Sequence, residues 1–299
     1  MRGVVRSIFA GCVVVAAMSS AVALQVVDDR GVRIDLPGPA QRIISLAPHI
    51  TELLYAAGAG ARIVGVVEYS NYPEAAKRLP RVGDTRSLDL ERIIAMRPDL
   101  VIVWLKGSPQ TQLDVLTALR LPIYYNEPRA LDEIALTIER FGELAGTLAV
   151  AQPAAREFRT RLAALRQRYR GRDTVTVFHQ IWEQPLMTVN GEHLISHVLE
   201  LCGGRNVFAP LRPLVPHVVA EAVLEADPEV IGTGGRGSPR EAGLSAWYRW
   251  PQLRAIARDN VYVVDPDLIS QHAPRLLDGA ELICESLEAA RRRRPTPAR

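Results

Sequence analysis

The chain is poor in what covalent chemistry needs. Its 299 residues include three cysteines, none in a Cys-x-x-Cys arrangement, so dithiol redox chemistry has no local motif. There is no Gly-x-Ser-x-Gly nucleophile elbow and no Gly-x-x-x-x-Gly-Lys phosphate cradle. Gly232-Thr-Gly-Gly235 lacks the rest of a nucleotide fingerprint and reads as a loop. A strong excess of one charge is also missing: the formal balance is +3, which gives no argument for nucleic acid. Beyond the first two dozen residues, no run approaches the ~18 apolar residues that cross a bilayer.

What is present is an export signal and a repeat. Arg2 and Arg6 precede an apolar run from Ile8 to Met18, and Ala21-Val22-Ala23 offers a small-x-small cleavage site. The mature chain is therefore expected to start near Leu24, and loss of the two arginines takes the balance from +3 to +1. Cys12 is a poor lipidation site because most of the apolar run follows it. Cys202 and Cys284 then remain, and an even count in an oxidising compartment favours a disulfide. Two separately buried thiols are the alternative.

The repeat is twelve residues long and occurs at Glu91–Ile102 and Glu221–Gly232. In each copy an acid opens a short helix-compatible stretch, a proline (Pro98, Pro228) follows seven places later, and an acid with an apolar run then reads as a buried strand. Strands alternate with helices on both sides of the chain's middle, which indicates parallel sheets covered by helices. The expected organisation is a signal over 1–23, an α/β lobe over 24–145, a helix over 146–171, an α/β lobe over 172–290 and a frayed basic tail over 291–299. Ala151, Ala155, Phe158, Leu162, Leu165 and Tyr169 are spaced 4, 3, 4, 3, 4, a single apolar seam that suits a rigid connector lying across both lobes. Arg291 to Arg294 are expected to be solvated, since Pro295 and Pro297 break any helix there.

Several aromatic residues fall where parallel strands end: Tyr69, Tyr72, Trp104 and Trp182. Ligands of open α/β sheets bind beyond those carboxyl ends, and flat side chains there suit a broad planar ligand. Glu192-His193-x-x-x-His197 has the spacing of two imidazoles on one helical face. Its glutamate precedes the first histidine instead of standing between the two, so a structural role is favoured. The rival is a metal-dependent enzyme with a third ligand supplied by the fold.

Five segments, Ser45–Leu53, Tyr69–Pro73, Leu90–Ile102, Leu199–Phe208 and Ala273–Arg275, together resemble a known family. It is the periplasmic solute-binding proteins of ABC importers with a helical backbone between lobes, and within it most of all the vitamin B12 (cobalamin) binders. The resemblance implies two Rossmann-like α/β lobes, a ligand cleft between them, no catalysis and no cofactor beyond the bound ligand. It further implies a monomer that hands a corrinoid to inner-membrane permease subunits, with Glu91 and Glu221 on the family's two docking glutamates. Cys202 and Cys284 fall on its disulfide, and Tyr69, Trp104 and Asp267 on ligand-contacting positions. Thr85, Ile181 and Val215 stand where the cobalamin binders carry aromatic residues, with Trp182 beside Ile181 as a substitute. Gln271, next to His272, stands in place of an arginine. These departures make haem or an iron chelate the alternative ligand.

Overall fold

A computed structural model describes residues 24–295 except Thr85 and Pro109. The expected signal over 1–23, Cys12, the ligand position Thr85 and residues 296–299 therefore lie outside the described residues. An antiparallel ribbon of β1 (Leu24–Val27) and β2 (Arg33–Leu36) opens the fold. The first parallel sheet contains β3 (Ile43–Ser45), β4 (Ile63–Val66), β5 (Leu100–Trp104) and β6 (Ile123–Asn126), in the order β4-β3-β5-β6. Both its faces are covered, which is why these strands read as continuous apolar runs. Ile43, Leu100 and Ile102 pack toward α1 (Pro48–Ala56), whereas Ile44, Val101 and Val103 pack toward α2 (Leu90–Ala95) and α3 (Gln110–Ala118).

Two helices follow in succession, α4 (Leu131–Ala145) and α5 (Leu148–Tyr169). The Glu133 carboxylate accepts the Arg129 and Ala130 N–H groups at the start of α4, and Gly146 ends it at φ +68°. A Cβ on Gly142 would lie 2.2 Å from the Ala151 Cβ, so glycine there lets α4 and α5 approach closely. All six seam residues of α5 are buried. The helix packs on α4 and α1 on one side. On the other it meets α6 (Leu194–Leu201) and α10 (Leu276–Arg292), so one continuous apolar core runs from the first sheet to the second.

The second sheet contains β7 (Val175–Trp182), the two-residue β8 (Met187–Thr188), β9 (Gly204–Asn206), β10 (Val230–Gly234) and β11 (Val261–Val264). Its parallel order is β9-β7-β10-β11, with β8 antiparallel on β7. Helices α6 and α10 cover one face. The other packs against α7 (Ala220–Ala226), α8 (Arg254–Ala257) and Trp247, and α9 (Pro266–Ile269) follows β11. The two repeat copies form the matching pairs α2–β5 and α7–β10.

Three expectations need correction. Gly232 to Gly234 are part of strand β10 and not a loop; a Cβ on Gly232 would meet the Tyr262 ring at 1.9 Å, so glycine makes room for a buried aromatic neighbour. Arg291 to Arg294 do not form a frayed tail. Helix α10 continues through Arg292, Arg291 donates to the carbonyls of Asp173 (2.7 Å) and Cys202 (2.8 Å), and Arg294 clasps the Glu229 carboxylate at 2.9 and 3.0 Å. Guanidinium groups at a helix C-terminus find carbonyls and carboxylates there, and five donors each let them bridge several. Finally, His193 is not within helix α6 but precedes it as its N-cap, where its Nδ1 accepts the Ile195 N–H at 3.2 Å; His197 stands one turn further on, and both residues line one cavity.

Candidate ligand cleft

The carboxyl ends of both sheets face a common cleft, where two cavities lie side by side. The first, about 540 Å³, is walled by Glu52, Tyr69, Tyr72, Glu74 and Lys77 from the N-terminal lobe and by Arg236, Asp267, Gln271 and Arg275 from the C-terminal lobe. The loop after β4 sends Tyr69 outward at φ +65°, a left-handed conformation costing roughly 1 kcal/mol for a residue with a side chain. Arg81 holds that loop by donating to the carbonyls of Val67 (3.1 Å) and Ser70 (3.0 Å). Tyr69 is 77% exposed, so its ring is free to meet a ligand.

Every cation lining this first cavity has a carboxylate partner that also lines it. Lys77 pairs with Glu74 at 2.7 Å, Arg236 with Asp267 at 2.9 Å and Arg275 with Glu52 at 2.8 Å. The last pair crosses the cleft from α1 to the start of α10. Its Glu52 carboxylate is buried and takes both Nε and Nη2 of Arg275, whose guanidinium carbon lies 3.7 Å from the Tyr72 ring centroid. Burial pushes the Glu52 carboxyl upward, and the guanidinium pulls it back.

A ridge of rings separates the cavities. Trp104 meets His49 edge-on at 5.5 Å and His272 at 6.3 Å between centroids, and His49 and His272 lie 5.7 Å apart. The two lobes thus touch ring to ring at mid-cleft. Trp104 is folded over Gly107, where a Cβ would come within 1.8 Å of its ring. His49 Nε2, Trp104 Nε1 and His272 Nδ1 are buried without hydrogen-bond partners among the described residues. Burial lowers His49 to about 4 and holds His272 well below the usual imidazole range, so both rings are neutral at pH 7.

The second cavity, about 490 Å³, is walled by Lys106, Glu127 and Arg129 on one lobe and by Glu192, His193, His197 and His272, with the start of α6, on the other. Burial also lowers His193 to about 4, with His197 and Lys106 adding to the shift. Among the described residues, no group of three or more His, Cys, Asp or Glu side chains is placed to hold a metal ion.

Of the residues singled out in the sequence, Tyr69, Asp267 and Gln271 come together on the first cavity, and Trp104 stands on the ridge. Ile181, half-buried, packs against the main core. Trp182 is 61% exposed at the end of β7, with its Nε1 on the Gln184 carbonyl, and Val215 sits in the loop before α7; none of these three lines either cavity. Glu91 and Glu221 are exposed in the first turns of α2 and α7. Cys202 and Cys284 form a disulfide between the end of α6 and α10, with Cα atoms 4.7 Å apart. Sequence reasoning missed Glu52, Arg275 and the Lys106–Arg129 pairing across β5 and β6. The one available signal was a glutamate, Glu52, set among the buried positions Ile50, Leu53 and Leu54, where a carboxylate requires a partner.

A family model described as periplasmic binding protein matches residues 43–268. The chain is 40% identical to the vitamin B12-binding protein of Vibrio campbellii (strain ATCC BAA-1116) over 258 residues, 86% of this chain and 93% of that protein. The crystal structure of the periplasmic vitamin B12 binding protein BtuF of Vibrio cholerae superimposes with a TM-score of 0.78 at 39% identity, covering 85% of this chain and 98% of that one. The periplasmic heme-binding protein RhuT from Roseiflexus sp. RS-1 shares the fold, with a TM-score of 0.74 at 23% identity over 84% of this chain and 99% of that one. Two helix-covered parallel sheets joined through α5, a cleft at their facing ends and a family match over most of the chain lead to one conclusion: the chain belongs to the periplasmic binding protein family.

Proposed function

We propose that this protein captures a corrinoid, cobalamin, in the interlobe cleft and delivers it to an inner-membrane ABC importer. The observation that carries the choice of ligand is the internal neutralisation of the first cavity, whose three cations are each paired with a carboxylate of the same cavity. Such a wall has hydrogen-bonding groups but no surplus charge, which suits the uncharged amide periphery of a corrin. A haem seated in this cavity, with two carboxylates on its rim, calls for cations free of local partners there. The vitamin B12-binding proteins at about 40% identity support the same ligand.

Tyr69, Asp267 and Gln271 would contact the ring system, with Trp104 beneath it on the ridge. The exposed acids Glu91 and Glu221 would meet basic residues of the permease, one on each lobe, and orient the loaded protein. Export would follow cleavage near Ala23, and the protein would act as a monomer. The test is titration of the purified protein with cyanocobalamin and with haemin, read by calorimetry and tryptophan fluorescence. Saturable binding of cyanocobalamin at or below micromolar concentration is expected. Binding of haemin alone would refute the corrinoid reading while leaving the family intact.

A further inference from the structure

The two cavities differ in how their cations are engaged. All three in the first cavity are paired, but Lys106 and Arg129 of the second have no carboxylate within 4.0 Å among the described residues. We infer that the second cavity seats the one anionic group of the ligand, the phosphodiester of a corrinoid's nucleotide loop, between Lys106 and Arg129 of one lobe and the start of α6 on the other. This rests on the corrinoid reading above and adds a recognition element to it.

Three observations carry the inference. First, cavities of roughly 300–1,000 Å³ hold drug-sized ligands, and a corrinoid with its nucleotide is larger; neither cavity, at about 540 and 490 Å³, encloses it alone. Gln271 lines one cavity and its neighbour His272 the other, so a ligand lying over the ridge reaches both. Second, the wall is built of donors. Lys106 follows β5 and Arg129 follows β6, which puts them on adjacent strand ends. Opposite them, eight-residue α6 turns its N-terminus to the cavity through Leu194; His193 takes the N–H groups of Ile195, Ser196 and His197, so the helix start favours an anion through its dipole. His193 accepts the Ile195 N–H through Nδ1, so in the neutral ring the proton sits on Nε2, making it a further donor.

Third, the carboxylates present limit the charge the cavity accepts. Glu127 is buried and takes the Lys106 backbone N–H at 3.2 Å, and Glu192 is exposed. The two carboxylates balance the two cations in formal charge, so only the donor geometry and the partial positive charge of the helix start remain to attract an anion, which suits a singly charged group better than a dianion.

The experiment compares the intact protein with Lys106→Ala/Arg129→Ala, using cyanocobalamin and dicyanocobinamide, the same corrin without the nucleotide loop. Both residues are exposed, so an unchanged melting temperature is expected to confirm folding. Loss of charge-assisted hydrogen bonds should weaken cyanocobalamin by about tenfold or more and leave dicyanocobinamide unaffected. Equal weakening of both ligands, or of neither, overturns the phosphate seat and spares the corrinoid reading. Failure of the unsubstituted protein to bind either corrinoid overturns both.

Discussion

The two lobes carry the same repeat but are fastened differently. In both copies the residue before the proline is left-handed, Arg97 at φ +47° and Asp227 at φ +39°. An arginine then closes the helix end: Arg42 donates to the Met96 carbonyl at 2.6 Å, and Arg254 to the Asp227 carboxylate at 2.7 Å. The acid after the proline in each copy ties the neighbouring strand, Asp99 through the Gln41 and Arg42 N–H groups and Glu229 through the Thr176 N–H. Beyond this shared scheme, helix α4 of the N-terminal lobe is tied by ion pairs alone, Asp132–Arg166, Glu139–Arg159 and Arg140–Asp29, whereas helix α10 of the C-terminal lobe carries a disulfide as well. Helix α10 meets Glu52 of the other lobe through Arg275 at its start, Cys202 through Cys284 in its middle, and the strand starts of its own lobe through Arg291 and Arg294. The repeat therefore encodes topology, whereas α10 couples the cleft wall to the C-terminal core.

The disulfide gives the largest test of that difference. Replacing Cys202 and Cys284 by serine opens a loop spanning 82 residues, with a loss of about 4 kcal/mol on the chain-entropy account. Urea unfolding should record this, and amide exchange should rise in α6 and α10 before it rises in α1 or α4. Uniform loss of protection across both lobes would mean that the staple is not local.

A smaller effect is expected across the cleft. Arg275→Ala leaves Glu52 buried without its partner, a destabilisation of about 3 kcal/mol, and Glu52→Gln in the same chain should recover much of it. A double-mutant cycle in denaturant measures the coupling, and strictly additive losses would show that the pair does not tie the lobes together.

The smallest stability effect belongs to the exposed acids that open each repeat. Glu91→Ala with Glu221→Ala should move stability by less than about 0.5 kcal/mol and leave cyanocobalamin affinity unchanged, while abolishing delivery in a reconstituted uptake assay. A fall in affinity would place these glutamates in ligand capture instead of docking.

Much of the fold was legible because burial imprints periodicity. Strands covered on both faces must be apolar throughout, and the α5 seam must recur at 4 and 3, so both were readable from residues alone. Helix α4 escaped notice although nine of its 15 residues are buried, against six of 22 in α5. Its period is nevertheless written in the chain: Asp132, Glu133, Glu139, Arg140 and Glu143 recur at helical spacing opposite the buried Leu131, Ile134, Ile138 and Phe141. The arginine run was misjudged because charge next to proline resembles a solvated tail, and nothing local announces Glu229 or the Cys202 carbonyl as partners.

The order of elements, the two-lobe plan and the residues at strand ends were set by the chain's local chemistry, since side-chain period, proline and glycine act within a few residues. The pairing of Glu52 with Arg275, 223 positions apart, the ridge of His49, Trp104 and His272, and the contrast between a neutralised cavity and one with unpaired cations belong to the tertiary structure. Electrostatic partnership depends on distance in space, which only the packed fold assigns.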